Sequence, residues 1–169
     1  MKNKILFRCD AGKVKKIGTG HLYRCIFLSK ILKKKFNLKK NQIKFIIKSK
    51  NEYKIGPKIL KEHKLNFIKY EDKYLIENSK SEINILKKNS ANTLIIDRLG
   101  KTNRKTILKL KKNFNKIIAF DDKSSHDLFD LKLNSLIYKN SLKKNKFFFK
   151  NLILASFKKK LLSKNVPSK

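Results

Sequence analysis

Short runs of consecutive apolar residues set the strongest limit on how this chain folds. Leu94-Ile95-Ile96 and Ile117-Ile118-Ala119-Phe120 are apolar at every position. A strand with one wet face alternates instead, so the sheet these runs enter must be covered on both faces. Similar runs recur, and candidate strands fall at Ile5–Cys9, Ile43–Lys48, 65–69, Thr93–Asp97, 117–120 and 131–137. Between them lie lysine-rich segments with helical spacing at Gly20–Lys35, 52–63, 77–89 and 102–113. In the last of these, Ile107, Leu108, Leu110 and Phe114 form an apolar stripe that leaves Lys105, Lys109 and Lys112 to water. Strand–helix alternation of this kind predicts an α/β fold, a Rossmann-like doubly wound parallel sheet flanked by helices.

With 169 residues the chain fits one such domain. The pattern is clear over residues 1–140 and degrades over 141–169 into a lysine-rich extension, either a last helix docked on the sheet or the start of a second domain. Hydrophobic residues make up 40% of the chain, enough for a core, and no apolar run approaches the roughly 20 residues of a membrane span. The N-terminus turns polar at Arg8 and Asp10, too soon for a signal-peptide core, so a cytoplasmic protein is expected. Cys9 and Cys25 stand outside any zinc-type cluster and read as buried thiols; no metal and no cofactor is expected.

The formal charge of +33 raises the question of a nucleic-acid partner. The lysines are spread along the whole chain together with asparagine, isoleucine and phenylalanine, as a bias toward adenine- and thymine-rich codons produces. No zinc finger, helix-turn-helix or aromatic-basic RNA signature accompanies them. Nucleic acid is therefore not expected as the principal ligand, and the charge is expected to be diffuse over the helix surfaces.

Ligands of open parallel sheets bind beyond the carboxyl ends of the strands. Three candidate strands end in acids there: Asp10, Asp97 and the pair Asp121-Asp122. Singly, each reads as a cap or turn residue, but three at one edge point to a site. After the first strand comes Gly18-Thr19-Gly20, whose glycines permit a tight turn and close backbone approach, followed by a helix whose free N–H groups suit an anion. The third glycine of a dinucleotide fingerprint and the Gly-Lys-Ser/Thr of a P-loop are absent. His21 and Arg24, three residues apart, share a helix face directed at the same crevice, unless they are merely a capping histidine and a surface arginine.

Phe7-Arg8-Cys9-Asp10-Ala11-Gly12, followed by Ile17-Gly18-Thr19-Gly20-His21-Leu22-Tyr23-Arg24-Cys25, resembles the opening of the UDP-sugar hydrolases of pseudaminic acid biosynthesis and the related spore-coat polysaccharide proteins. These begin with an Arg-x-Asp strand end and then Ile-Gly-x-Gly-His-x-x-Arg. Leu94-Ile95-Ile96-Asp97 and Ala119-Phe120-Asp121-Asp122 are similar to two further motifs, so the resemblance covers about the first 140 residues. It implies the N-terminal half of a GT-B architecture, release of UDP from UDP-2,4-diacetamido-2,4,6-trideoxy-β-L-altropyranose, and His21 as the catalytic residue. It also implies a crevice lined by Gly18, Thr19 and Gly20, with the uridine held largely by a C-terminal domain; this chain is then a fragment, a half-protein with that domain as a separate partner, or a decayed gene product. As the mechanism is read here, His21 is the base, Arg24 and the loop amides stabilise charge, and Asp10 or Asp97 fixes the imidazole tautomer or a sugar hydroxyl. Asp121 completes the substrate-binding candidates. Two other readings stand beside this one: a GT-B-like glycosyltransferase half and a basic nucleic-acid-binding protein.

Overall fold

The computed structural model describes residues 3–12, 18–89, 91–98 and 100–134. Strands β1 (Ile5–Cys9), β2 (Ile43–Lys48), β3 (Phe67–Tyr70), β4 (Thr93–Asp97), β5 (Lys116–Phe120) and β6 (Leu131–Leu133) form one sheet. Their order is β3-β2-β1-β4-β5-β6, and every pairing is parallel. The helices are α1 (Gly20–Lys35), α2 (Ile55–Glu62), α3 (Lys80–Lys88) and α4 (Arg104–Lys111). This is the doubly wound, Rossmann-like α/β arrangement that the apolar runs predict. Among the described residues no helix is long and apolar enough to cross a membrane.

The alternation of side chains along the strands divides the core into two layers. Phe7, Cys9, Phe45, Ile47 and Ile95 face α1 and α2, where they meet Leu22, Cys25, Ile26, Ile59 and Leu60. Leu6, Ile46, Leu94, Ile96 and Ile117 face α3 and α4, where they meet Ile83, Leu86, Ile107 and Leu110. Both cysteines are buried free thiols.

Element ends differ from the sequence-based expectation where local hydrogen bonds intervene. Ser79 Oγ accepts from the Glu82 N–H at 3.0 Å and Asn103 Oδ1 from the Thr106 N–H at 2.8 Å, so α3 and α4 begin at their N-caps rather than two or three residues earlier. A separate 3₁₀ turn, Asn51–Tyr53, precedes α2. The Leu65 N–H returns to the Leu60 carbonyl at 3.1 Å, which closes α2 and shifts the start of β3 to Phe67. Residues 135–137 of the expected last strand and the extension 141–169 lie outside the described residues.

The core also holds buried charge. Arg8 is fully buried on the α3 side of β1, its Nε donating to Glu82 Oε1 at 2.9 Å and its Nη1 lying 2.7 Å from Asp10 Oδ1. Arg98 Nη1 donates to the same Glu82 oxygen, and Glu82 Oε2 accepts from the Asn78 N–H at 3.0 Å. Burial works against the Arg8 charge, but Asp10 and Glu82 outweigh it and hold the guanidinium more firmly protonated than usual.

Candidate functional site

The chain leaves β1 toward β2 and returns from β3 to β4 on the other side of β1. The carboxyl ends of β1 and β4 therefore flank the topological switch point, where open α/β sheets bind ligands. Asp97, the last residue of β4, follows Ile95 on the α1 face and is completely buried. His21 is the second residue of α1 and Arg24 lies one turn further on, so both reach Asp97 from above.

His21 Nδ1 lies 2.6 Å from Asp97 Oδ1. An ionised carboxylate only accepts, so Nδ1 carries the proton and Nε2 is the proton-accepting nitrogen. Arg24 grips the same carboxylate from the side, with Nε donating to Oδ2 at 2.7 Å and Nη2 to Oδ1 at 2.6 Å. The 3.2 Å approach of Arg24 Nη2 to His21 Nδ1 brings together two donors that share one acceptor, and is not itself a hydrogen bond. Arg24 Nη1 lies 2.8 Å from Asp121 Oδ2, and its Cζ sits 4.9 Å from the centre of the Phe120 ring. Burial opposes the Arg24 charge, but Asp97 and Asp121 overcome it and raise its pKa above the ordinary value. Beneath them the Cys25 thiol donates weakly to Asp97 Oδ2 at 3.5 Å; burial first, then Cys9 and Asp97, push that thiol's pKa up.

The structure thus brings His21, Arg24, Asp97 and Asp121 into one contiguous cluster. Arg24 is engaged by two carboxylates and acts as a clamp that orients Asp97. Asp121 supports the clamp from a left-handed backbone position, φ 50°, which aspartate tolerates better than most residues. Asp10 is placed elsewhere: it pairs with Arg8, and its Oδ1 accepts from the Lys48 N–H at 3.1 Å, on the β2 side of β1. The imidazole is held by Asp97 and not by Asp10. Gly18 and Gly20 are exposed and Thr19 half-buried. Among the described residues a Cβ at Gly20 would meet nothing within 4 Å, and one at Gly18 only the Gly20 nitrogen at 4.0 Å. Packing among the described residues requires neither glycine.

Sequence reasoning missed Glu82 and did not foresee the role of Asp122. Glu82 carried only the weak signal of its Ser-x-x-Glu spacing from Ser79, which announces a helix start and says nothing of two arginines. Asp122, adjacent to Asp121, turns away: its Oδ2 accepts from Thr102 N–H at 2.9 Å and Thr102 Oγ1 at 2.6 Å, and its Oδ1 from Ser124 N–H at 2.8 Å. Burial alone would raise this carboxyl's pKa, but the hydrogen bonds from Ser124 and Thr102 hold it below the usual range. A depressed folded-state pKa means stabilisation that is present above roughly pH 4 and lost as pH falls through the folded value. Asp122→Asn is therefore expected to lower stability at pH 7 and to flatten its decline on acidification below about pH 4, read by thermal melts at stepped pH. An unchanged acid limb would contradict this assignment.

No protein-family model matches the sequence, and no curated protein matches it.

Proposed function

We propose that this chain is the catalytic N-terminal half of a nucleotide-sugar hydrolase, with His21 as general base. The observation that carries this reading is the Asp97–His21 pair at the switch point, because a buried carboxylate on Nδ1 leaves Nε2 as a proton acceptor. In the proposed step His21 Nε2 takes a proton from water as the water oxygen bonds to the anomeric carbon. The bond from that carbon to the diphosphate breaks, and UDP leaves with the electron pair. A diphosphate is already a good leaving group, so one base and local positive charge suffice.

The resemblance of Arg8-x-Asp10 and Ile17-Gly18-x-Gly20-His21-x-x-Arg24 to the pseudaminic acid enzymes supports UDP-2,4-diacetamido-2,4,6-trideoxy-β-L-altropyranose as the substrate. It also supports a C-terminal domain that holds the uridine and closes the crevice. The chain by itself is expected to show little or no turnover, since half of the site belongs to that domain. Combined with a nucleotide-binding C-terminal domain of the family, it is expected to release UDP in water alone. Release that needs an added sugar acceptor would replace the hydrolase with a glycosyltransferase. Robust turnover by the chain without the second domain would remove the two-domain requirement.

A further inference from the structure

The four helices carry lysine in their last turns: Lys33, Lys34 and Lys35 close α1, Lys61 precedes the terminal Glu62 of α2, Lys87 and Lys88 lie in the last turn of α3, and Lys109 and Lys111 in that of α4. Each helix runs back antiparallel to its strands, so these turns gather at the edge where the parallel strands begin. Lys4, Lys44 and Lys116 join them there. The Asn92 N–H donates to the Lys4 carbonyl at 3.0 Å, the Lys116 N–H to the Asn92 carbonyl at 3.1 Å, and Lys44 Nζ to Asn89 Oδ1 at 3.5 Å. The acids set against them are Glu62 and Asp130, and Asp130 already accepts from the Ile117 N–H at 2.7 Å and from Lys111 at 3.5 Å. The opposite edge holds Asp10, Glu82, Asp97, Asp121 and Asp122 among arginines. Among the described residues the last turns of the helices thus set a group of lysines side by side at the amino end of the sheet, while other lysines, such as Lys101 and Lys123, lie at the carboxyl edge. Helix dipoles favour lysine in last turns, and the fold stacks those turns side by side.

A cleft of about 340 Å³ opens at this end, lined by Lys40, Asn41, Leu65, Asn66 and Phe67. We propose that this cleft and the lysine-rich edge around it bind single-stranded nucleic acid. Lys40 and the exposed Lys64 offer charge to phosphates, the Asn41 and Asn66 side-chain amides offer donors and acceptors to base edges, and the half-buried Phe67 ring offers a stacking surface. The four arginines of the chain, Arg8, Arg24, Arg98 and Arg104, belong to other parts of the fold, so contacts here come from point-charge lysines and carry little sequence preference. Helices meet this edge with their C-termini, which gives a duplex no helix N-terminus to lodge in its groove or cap its phosphates. An unpaired strand, with its bases free to turn into the cleft, fits better.

The test uses the full chain and a fluorescein-labelled oligo(dT) of about 15 nucleotides, followed by anisotropy across a salt series. The double variant Lys40→Glu/Lys64→Glu is expected to bind at least about 10-fold more weakly near 0.1 M salt and to flatten the salt slope by about 1.4, the loss of two phosphate contacts. Lys101→Glu/Lys123→Glu makes the same charge change at the carboxyl edge and is expected to stay within about 3-fold of wild type. Unchanged circular dichroism melts keep both comparisons on folded protein. Equal losses from the two pairs would show diffuse attraction and overturn the site. Tighter binding to duplex of the same length, or to vesicles rich in phosphatidylserine, would overturn the choice of partner.

Discussion

Combined with a nucleotide-binding C-terminal domain, His21→Asn protein is expected to bind the UDP-sugar nearly as well as wild type and to hydrolyse it roughly 100-fold more slowly or worse. Asparagine occupies a similar volume and retains a donor for Asp97, so the clamp formed by Arg24, Asp97 and Asp121 survives. What is lost is the second ring nitrogen, the one placed to accept a proton. Loss of a group that acts only in the chemical step lowers kcat and leaves KM almost unchanged, whereas a structural histidine lowers the folded fraction and every activity together. The decisive pair of measurements is single-turnover UDP release beside equilibrium binding of the unreacted sugar nucleotide. A folded His21→Asn protein that hydrolyses at the wild-type rate removes His21 from the mechanism and leaves the fold-level resemblance alone.

Glu82→Ala is the substitution expected to destabilise the fold most among the charged residues. Glu82 and Arg8 are both fully buried, and one glutamate answers Arg8, Arg98 and the Asn78 N–H at the start of α3. Truncating it leaves two arginines in the core, Arg8 with Asp10 at 2.7 Å and, among the described residues, Arg98 with only the longer 3.9 Å contact to Glu77. Breaking a buried ion pair in this way costs about 3–5 kcal/mol, a large part of a domain's total stability. For a chain of this size that corresponds to a fall in Tm of about 10 °C, with the urea midpoint lowered and its slope unchanged. A compensated variant, Arg8→Met with Glu82→Leu, separates charge imbalance at Arg8 from lost volume, because an apolar replacement fills the space and removes Arg8 together with Glu82, although Arg98 and Asp10 each lose one partner. It is expected to recover part of the loss; a loss equal to that of Glu82→Ala would locate the effect in packing or in the α3 cap instead.

Several elements are legible in the residues themselves. The bounds of β1, β2, β4 and α1 are those that apolar periodicity predicts, since each is long or apolar enough for its own pattern to outweigh its surroundings. The starts of α3 and α4 are less legible because a single cap hydrogen bond moves them by a turn or less. Asp97, Asp121, His21 and Arg24 could be picked out as polar residues at one sheet edge. Their pairing could not, because Asp10 and Asp97 are equally plausible partners for an imidazole until the register of β1 against β4 is known.

What the amino-acid order determined about this protein is the alternation of strand and helix and the edge at which its polar residues collect, because these depend on local period and on the direction of the chain. What tertiary structure decided is which charge meets which. Arg8 points to the α3 face because β1 places alternate residues on opposite sides, and that face holds Glu82, 74 residues away in the chain. Asp97 points to the α1 face for the same reason and finds His21 and Arg24. Among the described residues, lysines far apart in the chain meet at one edge because every helix delivers its last turn there. Local preference is set by neighbours in the chain, and electrostatic pairing by neighbours in space, which the winding of the sheet alone brings together.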